Sequence, residues 1–233
     1  MDSTESEAYD SQDMSWVPPD GFFDRADPTS DAAFYSWPRL VTHIDADAIV
    51  AVEELYEQLN IDGEVLDLMS SWVSHFRRAP NRLTALGMNE EELLANRQAA
   101  ASVVHDLNAD PRLPFGDDTF DAVVCCVSVD YLTRPVEVFN DVARVLRPGG
   151  PFVCTFSNGC FPTKAIRGWL YATDDERGQI VAGYFNDSGA WGVPQIRRCT
   201  PAAHFGDPLY AVWAYRDREA VSDRAPVSNP EPT

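Results

Sequence analysis

Residues 113–150, LPFGDDTFDAVVCCVSVDYLTRPVEVFNDVARVLRPGG, leave the chain few folds to adopt. Residues 122–127 are a short apolar run entered from the turn-forming Gly116-Asp117-Asp118, as in a strand covered on both faces. Val136, Phe139, Val142, Ala143 and Leu146 then recur at helical spacing, and Arg147-Pro148-Gly149-Gly150 stops the helix. The next segment, PFVCTFSN, reads as a second buried strand. Strand, helix and strand over this length predict a βαβ unit in a parallel sheet.

The flanking sequence predicts the neighbours of that unit. Ile49, Val52, Leu55, Tyr56 and Leu59 make a helical stripe over 45–59, with Asp45 as N-cap. Strands are predicted over 64–69, 82–86 and 102–105, and a short helix from Ser71 or Trp72 to Arg78. Asn89 with Glu92 is a capping-box pattern opening a helix to about Asn96. Beyond Asn158, helices are predicted over 162–171 and 174–187, a turn over 189–192, and strands over 196–199 and 209–215.

Residues 1–30 carry eight acids against the single Arg25 and read as an acidic, flexible segment. Trp16, Phe22 and Phe23 are aromatic exceptions suited to clipping that segment onto a domain or covering a pocket. Residues 31–216 are expected to form the domain and 217–233 a flexible tail.

A net charge of −19 argues against a nucleic-acid-binding surface, because phosphate is repelled by such a field. Lys164 is the only lysine, and an acidic, lysine-poor surface fits either solubility in high salt or a GC-rich source. No apolar run approaches a membrane span. The acidic N-terminus is unlike a secretory or transit signal, which predicts a cytoplasmic location. Cys125, Cys126 and Cys154 read as small core residues of a reducing compartment. Neither cysteines nor histidines show ligand spacing, so no metal site is predicted.

LPF, FDAVV and ARVLRPGG together resemble the second half of the class I S-adenosylmethionine (SAM)-dependent methyltransferases, particularly the small-molecule branch called type 11. The resemblance spans about residues 45–215. It implies an α/β, doubly wound, Rossmann-like fold: a seven-stranded, mostly parallel sheet with an antiparallel last strand. It also implies SAM as cofactor and methyl transfer to a small-molecule acceptor by in-line displacement. Ligands of such sheets bind beyond the carboxyl ends of the strands, near the switch in strand order.

In the family an acid and a glycine-rich loop, DLGCGxG, follow the first strand. Here the acid is Asp67, and Met69, Ser71 and Val73 stand at the three glycine positions. The resemblance assigns Asp67 to the cofactor's methionine end and Met69, Ser70 and Ser71 to a remodelled loop. The following helix N-terminus would favour an anion there. After the second strand, the family's ribose-holding acid falls on Gly87. Met88 and Asn89 follow it, and Asn89 or Glu90 is left to reach the ribose, although a helix cap also explains Asn89. After the third strand, Asp106 matches the carboxylate that accepts from the adenine amino group, and Leu107 meets the ring. His105 is expected to point to the opposite face.

After the fourth strand come Ser128, Asp130 and Tyr131, where the family's loop faces both cofactor and acceptor. His75, Tyr131 and Asp130 are candidate catalytic groups able to orient an acceptor or take its proton; ordinary packing explains them comparably. Tyr35, Trp37 and Trp72, with His43, suit an aromatic-lined acceptor pocket, which Asn158 and Cys160 would border. Lys164 or Arg167 could pair there with a carboxylate. Two other readings stay open: a methyltransferase-like domain that has lost SAM and serves as a binding partner or regulator, and a SAM-using enzyme with altered chemistry.

Overall fold

Strands apolar on both faces require a sheet covered twice. In the computed structural model, which describes residues 18–201, 203 and 205–218, seven strands form one sheet whose inner strands are buried almost throughout and whose two edge strands are largely exposed. The seven are β1 (Glu64–Leu68), β2 (Arg82–Gly87), β3 (Ala101–Val104), β4 (Ala122–Cys126), β5 (Pro151–Phe156), β6 (Gln195–Arg198) and β7 (Tyr210–Tyr215). Their order is β3-β2-β1-β4-β5-β7-β6. The first five pair in parallel, and β7 runs antiparallel to both β5 and β6. From β1 the chain steps outward to β2 and β3, then restarts at β4 on the other side. The switch in strand order therefore lies between β1 and β4. This is the class I methyltransferase fold.

Among the described residues six α-helices accompany the sheet: α1 (Asp31–Phe34), α2 (Ala46–Gln58), α3 (Glu90–Ala95), α4 (Pro135–Val145), α5 (Arg167–Tyr171) and α6 (Asp174–Ser188). Side chains alternate across the sheet with a period of two. Leu66, Leu68, Val123, Cys125, Phe152 and Val212 pack on one face with Phe139 and Val142 of α4 and Phe185 of α6. Val65, Val124, Val153 and Trp213 pack on the other with Ala48, Val52 and Leu55 of α2. Each such Val, Leu or Phe contributes roughly 1.5–3 kcal/mol on burial. Local signals set the helix ends: Asp45 accepts from the Ala48 amide, Thr173 and Glu176 form a capping box, and Gly189 ends α6 at φ 69°.

Three sequence expectations change. No helix forms over 71–78: Met69 and His75 take positive φ (56° and 49°), a conformation that interrupts a right-handed helix. Polar groups of this stretch are met from outside, by the side chains of Asn96 and Gln98. The helix N-terminus predicted directly after the first loop is therefore not formed. Second, α5 is shorter than predicted, and residues 162–164 form a turn. Third, residues 18–30 are packed against the domain. Phe22 lies against Gly168, whose amide donates to the Phe22 carbonyl, and Phe23 joins the α4–α6 core. Lys164, fully buried, donates to the Thr29 carbonyl at 2.8 Å and pairs with Asp27 and Asp31 at 3.1 and 3.2 Å. Trp16 and the tail beyond residue 218 lie outside the described residues.

Candidate functional site

The carboxyl ends of β1, β2, β3 and β4 open into one cleft of about 1120 Å³, solvent at its mouth included, roofed by residues from 31–43. All nine residues assigned to the cofactor line it: Asp67, Met69, Ser70, Ser71, Met88, Asn89, Asp106, Leu107 and Ser128.

Asp67 is buried near the end of β1 and accepts from the Ser70 hydroxyl at 2.6 Å. Burial pushes its carboxyl up to about 6, against the lowering effect of hydrogen bonds from Ser70 and Ser74. The loop then crosses the end of β2, where the Ser70 amide donates to the Leu86 carbonyl at 2.7 Å. A Cβ on Gly87 would overlap the Ser70 carbonyl oxygen, so no acid can stand at the family's ribose position without moving the loop. Ser128 ties the loop from the other side, donating to the carbonyls of Cys126 and Met69 at 2.9 and 3.3 Å.

Asn89 caps α3 through the Glu92 amide, while its side-chain NH2 donates to the Tyr35 carbonyl in the roof. The reciprocal half of the predicted capping box is not made. The Glu92 carboxylate instead accepts from the Ser71 hydroxyl and the Arg39 amide, each at 2.6 Å, and lines the cleft. Its i+3 spacing from Asn89 was the available signal, but that spacing also describes an ordinary cap. Asp106 accepts from the amides of Asn108 and Ala109 through one oxygen, forming a turn; the other oxygen has no hydrogen bond among the described residues. His105 is also among the residues lining the cleft, and its Nε2 lies 2.8 Å from the Asp110 carbonyl oxygen.

Of the candidate catalytic groups, His75 and Tyr131 line the cleft. Burial, and secondarily the charge of His43, pushes the His75 imidazole down to about 4, so it is neutral at physiological pH. The Tyr131 oxygen accepts from the Phe161 amide at 2.9 Å, and burial raises its phenol, leaving the proton on it. Asp130 is buried but outside the cleft lining; one of its oxygens has no hydrogen-bond partner among the described residues, and burial pushes its carboxyl up to about 7.

Tyr35 and Trp72 also line the cleft, joined by His43, Arg39 and Phe161. Sequence reasoning did not single out Arg39 or Phe161; the tertiary fold alone brings the two together, with the guanidinium 5.5 Å from the ring centroid. Trp37 is 78% exposed and does not line the cleft, nor do Asn158 and Cys160. Burial, then the charge of Asp130, raises the Cys160 thiol, which keeps it protonated. Lys164 is committed to Asp27 and Asp31, and Arg167 lies 3.9 Å from Asp24. No group of three or more potential metal ligands occurs among the described residues.

The methyltransferase domain family matches residues 66–154. Over 124 residues the chain is 33% identical to the ubiquinone/menaquinone biosynthesis C-methyltransferase UbiE of Roseobacter denitrificans, covering 49% of each chain. It is 29% identical over 156 residues to methyltransferase GfsG of Streptomyces halstedii, covering 62% of this chain and 52% of that one. The chain thus spans about half the length of these curated relatives. A SAM-dependent methyltransferase from Archaeoglobus fulgidus superposes with a TM-score of 0.51 at 13% identity, over 72% of this chain and 94% of that one. No helix among the described residues is long and apolar enough to cross a membrane.

Proposed function

We propose, from its class I methyltransferase fold and its methyltransferase-domain match, that this chain transfers a methyl group from SAM to a small-molecule acceptor. The observation that carries the reading is the convergence of all nine assigned cofactor residues on one cleft at the topological switch. When bound, SAM supplies an electrophilic methyl group on a sulfonium. Asp67 and the Ser70 hydroxyl would hold the methionine end. The free oxygen of Asp106 would accept from the adenine amino group, with Leu107 and Met88 beside the ring.

Methyl transfer to a nucleophile needs chiefly alignment and exclusion of water. Tyr35, Trp72 and Phe161 give the acceptor end aromatic walls, which suit a flat or apolar acceptor. His75, neutral and facing the cleft, would take the acceptor's proton on a ring nitrogen as the new bond to carbon forms. The Tyr131 hydroxyl, whose oxygen is occupied by the Phe161 amide, retains a proton to donate to an acceptor oxygen. The −19 charge favours a small acceptor over a nucleic acid, and five free thiols suit a reducing cytoplasm.

A second reading, a domain that no longer binds SAM, draws on the Ser70 carbonyl over Gly87 and on the missing helix N-terminus behind the first loop. Calorimetric titration with SAM and S-adenosylhomocysteine, at low and high salt, separates the two. Saturable micromolar binding is expected. A folded chain that binds neither nucleoside at any salt concentration would establish the second reading.

A further inference from the structure

We propose that Glu92 is the ribose-binding acid of this chain, supplied from the first turn of α3 in place of the residue missing at the end of β2. The inference rests on the SAM-binding reading above.

Four acids line the cleft: Asp31, Asp67, Glu92 and Asp106. Asp31 is consumed by Arg25, Asn108 and Lys164. Asp67 stands at β1, at the methionine end. Asp106 stands beyond β3, with one oxygen closing a turn. Only Glu92 lies between them, beside Met88 and Asn89 and opposite the loop residues Ser70 and Ser71.

The position at the end of β2 is closed to any side chain, since a Cβ on Gly87 would overlap the Ser70 carbonyl and pass 3.2 Å from a Leu93 methyl. A carboxylate serving that part of the cleft must therefore come from another element, and α3 starts three residues later. Glu92 is 8% exposed, and a buried carboxylate is retained only where donors meet it. Its two oxygens accept one bond each, from the Arg39 amide and the Ser71 hydroxyl. Each keeps a second lone pair. A fixed carboxylate with one open site on each oxygen matches a vicinal diol, whose two hydroxyls donate side by side. The same two bonds also pin the first loop and the roof. In glutamine the side-chain oxygen can still accept from the Arg39 amide, and its NH2 can donate to the Ser71 hydroxyl, which then accepts, so both tethers persist without the charge and with one acceptor fewer.

The test uses the full chain and compares S-adenosylhomocysteine with its 2′,3′-dideoxy analogue by calorimetry, in the wild type and in Glu92→Gln. The wild type is expected to prefer the ribose hydroxyls by about tenfold to a hundredfold, the range for bonds to a charged acceptor. Glu92→Gln is expected to lose most of that preference while binding the dideoxy analogue as the wild type does. If Glu92→Gln does not fold, Glu92→Asp, which keeps the charge but draws it back, is read in the same way. A wild type that holds both ligands equally, or a variant that weakens both alike, overturns the assignment. A folded wild type that binds neither ligand overturns the SAM reading itself, and this assignment with it.

Discussion

The Ser70 carbonyl lies directly over Gly87, so that a Cβ at residue 87 would overlap its oxygen and stand 3.1 Å from its carbon. The Ser70 amide holds the loop there through the Leu86 carbonyl. A first loop without glycines and a second strand without its acid are therefore one arrangement: the displaced loop occupies the space the acid would need.

Gly87→Ala should destabilise the protein by about 1–3 kcal/mol, because the obstacle is backbone and cannot rotate away. Urea unfolding measures this. Gly87→Asp, which restores the family's residue, should be at least as destabilising and should not improve SAM binding. A stable Gly87→Ala with unchanged affinity would show that the loop yields freely.

Asp67 should trade stability for binding. Its folded value of about 6 lies above the ordinary carboxylate value near 4, so the native state holds the extra proton between those pH values. Stability contributed by Asp67 is present below about pH 4 and is lost as pH rises to about 6. Asp67→Asn should then be more stable than the wild type at pH 7.5, by about 1–3 kcal/mol, and should flatten that pH dependence. The ammonium of SAM would favour the charged form. Wild-type binding at pH 6 should accordingly release protons, read as a buffer-dependent enthalpy that Asp67→Asn abolishes.

His75→Ala should lower kcat about 100-fold or more for an acceptor found by screening, with S-adenosylhomocysteine affinity within about twofold. Because its imidazole is neutral above about pH 4, kcat at saturating SAM should show no limb near pH 6.5. A limb there, lost in His75→Ala, would mean that the ring is more solvated than its burial implies.

Lys164→Met should cost about 3–5 kcal/mol, since it leaves Asp31 buried without one of its cations. Burial alone would raise the Asp31 carboxyl, but hydrogen bonds from Arg25, Asn108 and Lys164 outweigh it and hold the carboxyl below its ordinary range. Stability from this cluster is thus present above the ordinary carboxylate pKa and lost as pH falls below it. Limited proteolysis should find new cleavage within residues 18–31 of the variant. Unchanged protection would assign the anchoring of that segment to Phe22 and Phe23 alone.

Sequence periodicity located the sheet strands and most helices because each has a one-dimensional signature: continuous apolar runs for doubly covered strands and a 3.6-residue stripe for α2 and α4. The helix over 71–78 failed because His75 within it and Met69 just before it take positive φ, which composition does not announce for Met and His. That the nine residues assigned to the cofactor would line one cleft was legible because they follow strand ends, and parallel strands deliver their carboxyl ends to one edge. The residues assigned to the acceptor were less so. Tyr35 and Trp37 are two residues apart, yet one enters the cleft and the other faces solvent.

The sequence by itself determined the fold, the edge of the sheet where the cleft opens, and the loss of the glycine loop, since all three follow from local pattern. Only the tertiary structure decided where the first loop went, which carboxylate took the space beside it, and which aromatics wall the cleft. Those depend on contacts between residues far apart in the chain, such as Ser70 with Gly87, Ser71 with Glu92 and Arg39 with Phe161, and no periodicity within one segment encodes them.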